Sequence, residues 1–189
     1  MIAARTCFLF FIMLPFFLAA QPEVEYAHKS LVKILEKEGI GMQQLQELHF
    51  RQNGGYAAET AGKFFAVNSA NVSQYHYMYV GRVNSCRAGG CSVPGNAGTD
   101  MSSEYFDYFI LFDKRGGIVR VHVFNYRATH GYEICSRGWL RQFSGYNGSE
   151  KPEVGKTIDG ISGATISVHA ITSDVRQRTD QLQGFLVSQ

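Results

Sequence analysis

Residues 105–126 read Y-F-D-Y-F-I-L-F-D-K-R-G-G-I-V-R-V-H-V-F-N-Y. Two runs rich in aromatic and β-branched residues, Tyr105–Phe112 and Ile118–Tyr126, are joined by D-K-R-G-G, which has the composition of a hairpin connection. In the second run Val119, Val121 and Val123 alternate with Arg120, His122 and Phe124, so one face is expected to be buried and the other more mixed. Tyr105, Tyr108, Phe109 and Phe112 are assigned to the core. Upstream, Phe64–Val67 and Tyr75–Val83 have the same character, are bounded by Asn, Ser and Gly, and predict further strands.

Helical spacing brackets these strands. Val24, Ala27, Leu31, Ile34 and Leu35 predict an amphipathic helix over 24–38, with Gly39 as its stop signal. Val168, Ile171, Val175, Leu182 and Leu186 form one stripe, predicting a long helix from Ile166 to about Phe185. Between Ala128 and Ser149, glycines at 131, 138, 145 and 148 break the pattern, and a short helix is expected from Trp139, the only tryptophan, to Phe143. There is no internal repeat. The economical reading is a single α+β domain, mostly antiparallel sheet flanked by helices, ending in a long C-terminal helix.

The first twenty of the 189 residues differ in kind from the rest: Arg5, then no charge from Cys7 to Leu18, then Ala19 and Ala20. This is the pattern of a secretory signal over residues 1–20. Its apolar run falls short of the roughly 20 residues a membrane-spanning helix needs, although an uncleaved N-terminal anchor is the rival reading. The chain is therefore expected to be exported, to the periplasm or the outer face of the cytoplasmic membrane. Residues 21–104 then supply the first helix and strands, and 105–189 the remainder of the same domain.

A formal net charge of +2 without a basic run gives no electrostatic case for nucleic acid. An aromatic content of 13% suits a β-rich core or a pocket for a flat ligand. Beyond the signal lie Cys86, Cys91 and Cys135. In an oxidising compartment Cys86 and Cys91 are near enough in sequence to bridge, and free thiols or a metal-binding or redox-active pair remain open. C-x4-C without a second cysteine pair gives little support to a zinc site, and no metal is assigned.

The chemistry concentrates in T-I-D-G-I-S-G-A-T-I-S, Thr157–Ser167. The preceding G-K-T resembles the tail of a P-loop, but Glu150 stands where the pattern needs its first Gly. G-I-S-G-A approximates a nucleophile elbow at Ser162, yet only His169 follows it, seven residues on, so no Ser-acid-His order can be assembled. Cysteine catalysis by Cys135 with His122 or His130 is arithmetically open, against a plain surface or loop role for those histidines. Gly163 and Ala164 remove bulk beside Thr165, which stands where the last helix should begin. Unpaired amides and the positive end of the helix dipole there favour a phosphate. The structural alternative is that S-G-A-T is merely a helix cap.

D-G-I-S-G-A-T, Asp159–Thr165, resembles the flavinylation motif of the FMN-binding domain family, found in flavin-carrying components of the sodium-pumping NADH:quinone reductase and of Rnf electron-transport complexes. Asp159 and Ser162 match the motif's acidic and hydroxyl positions, and Gly160, Gly163 and Ala164 its small ones. The resemblance implies that a flavin transferase joins FMN to Thr165 through a phosphodiester. A-T-H-G-Y-E-I, Ala128–Ile134, followed by Trp139, Phe143 and Gly145, is similar to the loop and aromatic segment before the motif in those components. Where they commonly carry Pro, this chain has His130.

Thr129, His130, Gly131, Trp139 and Phe143 are accordingly expected near the flavin ring. The resemblance spans roughly Tyr105 to the C-terminus. It implies an exported flavoprotein that passes electrons between redox partner proteins, with a membrane electron-transport complex among the candidates. The alternatives are a flavin-dependent reductase of a small molecule, using a proton donor such as His130, and a non-redox domain.

Overall fold

The computed structural model describes residues 23–50, 62–69, 74–87 and 103–188. Helix α1 (Lys29–Lys37) is followed by strands β1 (Leu45–Leu48), β2 (Gly62–Val67), β3 (Tyr77–Arg87), β4 (Ser103–Phe112) and β5 (Ile118–Tyr126), then short helix α2 (Arg137–Leu140) and long helix α3 (Thr165–Val187). The strands form one sheet in chain order, β1-β2-β3-β4-β5, and every neighbouring pair is antiparallel. This is the single α+β domain that the residue pattern predicts. Residues 1–20, which have the pattern of a signal, and Cys91 lie outside the described residues, as does the side chain of Cys86, so the expected bridge does too.

Strand β4 explains why residues 106–112 read as an almost unbroken apolar run: all seven have 0% exposure. Phe106, Tyr108, Ile110 and Phe112 join Val121 and Val123 on one face, against Val168, Ile171, Val175 and Leu182 of α3. Phe109 and Leu111 join Met78, Val80 and Phe124 on the other, against Leu31 and Leu35 of α1. Covering a sheet on both faces removes the polar half of the usual alternation. Each large side chain so buried contributes roughly 1.5–3 kcal/mol.

Three details depart from the residue pattern. In β5, register shifts opposite Asp107/Tyr108 and Leu111/Phe112 each insert an extra residue. Val119 therefore turns to the α1 face, leaving the side of Val121 and Val123, while Phe124 keeps the face that alternation gives it. Helix α1 begins at Lys29 rather than Val24: the His28 imidazole accepts from the Ser30 amide (3.2 Å) as its cap, and Val24 is buried from a preceding turn. Tyr105 is only half-buried, and its ring carries the Arg82 guanidinium 3.6 Å from the centroid.

Arg82 also holds the one acid in the middle of β4. Its Nε and Nη2 donate to the two oxygens of Asp107 (2.7 and 3.0 Å), and Asn125 Nδ2 donates to the second (2.7 Å). Both charges are almost fully buried, with side-chain exposures of 5% and 0%. Removing one partner of such a pair strands the other without water. Arg82→Met is therefore expected to cost ~3–5 kcal/mol in urea unfolding, and adding Asp107→Leu should restore a large part of that loss.

Candidate functional site

The first turn of α3 is laid on the sheet by Ala164 and Val168, 3% and 0% exposed, and farther along by a polar clamp. Tyr108 Oη donates to Asp174 Oδ2 (2.7 Å), and Arg178 donates to Asp174 Oδ1 through Nη2 (2.8 Å) and Nε (3.1 Å). Thr165 is the first helical residue and its side chain is exposed; Ala164 is the N-cap and makes no side-chain cap bond. The cap reading of S-G-A-T therefore fails in its usual form, since no Ser or Thr oxygen closes the first turn. The amide end of α3 thus has no side-chain cap, and the exposed Thr165 stands at it.

The preceding loop is shaped for that presentation. Gly163 has φ 82°, a left-handed conformation that suits glycine. A Cβ added at Gly160 or Gly163 would meet nothing within 4 Å, so the space beside the motif is open. Ala164 is small for another reason: it packs inward, into the core under α3. Asp159, Gly160 and Ser162 are exposed, and the loop's start is held from behind. Trp139 Nε1 donates to the Asp159 carbonyl (2.8 Å), the Asp159 amide donates to Gln142 Oε1 (2.8 Å), and Gln142 Nε2 donates to the Trp139 carbonyl (3.1 Å).

Trp139 and Phe143 face inward. Phe143 is fully buried, Trp139 nearly so, and their rings meet edge-on at 5.5 Å. They brace the motif from the core side.

The Thr129–Gly131 loop reaches the same turn of α3. Gly131, φ 87°, lies so near Ser167 that a Cβ there would stand 2.7 Å from Ser167 Oγ. Tyr126 Oη donates to the His130 carbonyl and lies 3.3 Å from Ser167 Oγ, while Ser85 Oγ lies 2.7 Å from Ser167 Oγ on the other side. Thr129 Oγ1 donates to Glu104 and sits 3.1 Å from His130 Nδ1. Thr129 and His130 are exposed.

Two apolar side chains flank this contact in the open: Tyr132, 68% exposed, and Ile166, 46%. Neither figures among the residues expected near the ring, although Tyr132 falls inside A-T-H-G-Y-E-I. Its exposure and the edge-on packing of its ring on Tyr126 (5.5 Å) become visible only in three dimensions. Ser85 and Ser167 leave no sequence signal, being common residues 82 positions apart.

The cysteine-nucleophile reading loses its chemistry here. Burial, and then the Glu133 carboxylate, push the Cys135 thiol up to about 12. His122, its half-buried ring beside Phe109, is held below its ordinary value by burial and then by Arg137 and Arg120.

The arrangement thus brings together an exposed hydroxyl at a helix start without a side-chain cap, open space over two glycines, and exposed apolar side chains alongside. Residues 105–179 match the model of the FMN-binding domain family, so the chain carries an FMN-binding domain. It is a flavin-binding protein. No curated protein and no solved structure matches the chain.

At pH 8 a thiol with a pKa near 12 is ionised in roughly one molecule in ten thousand. Cys135 is accordingly expected to resist iodoacetamide at pH 8 in the folded protein and to react readily in urea, as followed by peptide mapping.

Proposed function

We propose that this chain is an extracytoplasmic electron carrier whose FMN is joined by a phosphodiester to Thr165. The observation that carries the reading is the exposed Thr165 hydroxyl on the first residue of α3, at an amide end that no side chain caps, within an FMN-binding domain. The match of Asp159–Thr165 to the flavinylation motif supports the covalent bond. Joining a phosphate to an alcohol needs an activated donor, which a flavin dinucleotide provides. As the Thr165 Oγ1–P bond forms, the donor's pyrophosphate bond breaks, the nucleotide monophosphate leaves, and the hydroxyl proton passes to a base of the flavin transferase.

The first-turn amides of α3 would face the resulting ester, and the open space at Gly160 and Gly163 admits both the transferase and the cofactor. Tyr132, Ile166 and His130, all exposed, would line the ring. Once bound, FMN supplies one- and two-electron redox chemistry, while the protein contributes tethering, orientation and local field.

Exposure on this side supports a carrier over a reductase, which needs a closed pocket for its substrate. The signal pattern at residues 1–20 supports export, and a tether fits a compartment without a flavin pool. Its partners would be the flavin transferase during maturation and redox proteins afterwards, a membrane electron-transport complex among them.

Co-expression with a flavin transferase, followed by intact mass and in-gel fluorescence, tests this. The parent should gain one FMN-sized increment and Thr165→Ala none. A parent without the increment, or a Thr165→Ala protein that keeps it, overturns the proposal.

A further inference from the structure

Ser85, Ser167 and Tyr126 form a hydrogen-bond chain whose direction can be worked out. The His130 carbonyl can only accept, so Tyr126 uses its single O–H on it. Burial raises the Tyr126 phenol above its usual value, so it keeps that proton at neutral pH. The contact between Tyr126 Oη and Ser167 Oγ (3.3 Å) must then be a donation from Ser167, and the contact between Ser167 Oγ and Ser85 Oγ (2.7 Å) a donation from Ser85. Each hydroxyl in the row has one role left to it, and protons point from Ser85 to the loop carbonyl.

Several local features converge to build this row. Pairing runs Asn84↔Tyr105 and then Cys86↔Glu104, which leaves Ser85 as the extra residue of a bulge in β3. By alternation along β3 Ser85 shares the α3 face with Val83, two residues before it. Ser85 and Ser167 are 8% and 3% exposed, so water cannot replace a hydroxyl bond left unmade there. Tyr126 is fixed from behind by its ring stacked on Phe106, 10° from parallel at 5.6 Å. Gly131 closes the arrangement, because any Cβ would strike Ser167 Oγ.

We propose that this Ser85–Ser167–Tyr126 chain is a positioning device: it fixes the Thr129–Gly131 loop against the first turn of α3 and thereby sets the surroundings of a flavin carried two residues away, on Thr165. The inference rests on Thr165 as the attachment point. None of the three hydroxyls takes part in the ester. Their effect is on how firmly the loop is held beside the cofactor.

The test uses the full chain, loaded by co-expression with a flavin transferase, and compares the parent with Tyr126→Phe, Ser85→Ala and, as a control for stability alone, Tyr108→Phe, which removes the bond to Asp174. Loading is read by intact mass, and the site by flavin fluorescence anisotropy and midpoint potential. Tyr126→Phe and Ser85→Ala should load like the parent but show lower anisotropy and a midpoint potential moved toward that of free FMN, while Tyr108→Phe matches the parent in both. Loaded variants identical to the parent, a Tyr108→Phe shift as large as theirs, or failure of both hydroxyl variants to load while the parent does, would each overturn the inference. A parent that takes up no flavin overturns instead the assignment of Thr165 on which it rests.

Discussion

Burial of both faces of β4 is the constraint on which the rest of the molecule depends. Seven consecutive residues without exposure require a helix on each side of the sheet, so α1 and α3 are obligatory parts of one core. Asp107 shows how tightly this holds. A carboxylate in the middle of that strand is tolerable because Arg82 and Asn125 together satisfy both of its oxygens.

The candidate site grows out of the same constraint. Because α3 must cover Tyr108, Ile110 and Phe112, its first turn comes to rest at the end of the sheet where β3 bulges and β5 runs out into the Thr129–Gly131 loop. Ala164 and Val168 bury the inner side of that turn, which leaves the Thr165 hydroxyl outside. Trp139 and Phe143 support the motif loop from within. The proposed attachment point thus sits on a turn seated directly on the core, which would suit a group holding a cofactor at a fixed place.

Much of this is legible in the sequence wherever a residue's surroundings are set by its near neighbours. The β4–β5 hairpin follows from two apolar runs around D-K-R-G-G, and α3 from a stripe at helical spacing. The residue pattern makes helix α1 too long because Val24, Ala27 and Leu31 keep helical spacing whether the chain before Lys29 is helical or turns back; only the His28 cap separates the two. Strand β1 escapes notice, as a four-residue edge strand with mixed burial offers too little alternation. At the site, D-G-I-S-G-A-T is recognisable as a contiguous motif. Trp139 and Phe143 are expected near the ring from the resemblance of their segment, whereas their support of the motif loop from the core is seen only in the structure. The Ser85–Ser167–Tyr126 row is invisible because it joins ordinary residues from three distant segments.

The central claim is that one particular hydroxyl, among several in the same stretch, carries the cofactor. Trypsin should release that stretch whole, from Thr157 after Lys156 to Arg176, with Ser162, Thr165, Ser167, Thr172 and Ser173 also inside. Fragmentation of this peptide from flavin-loaded protein should place the FMN increment on Thr165. An increment on Thr157, Ser162 or any other hydroxyl of the peptide, or flavin that leaves on denaturation and adds no mass, would contradict the account.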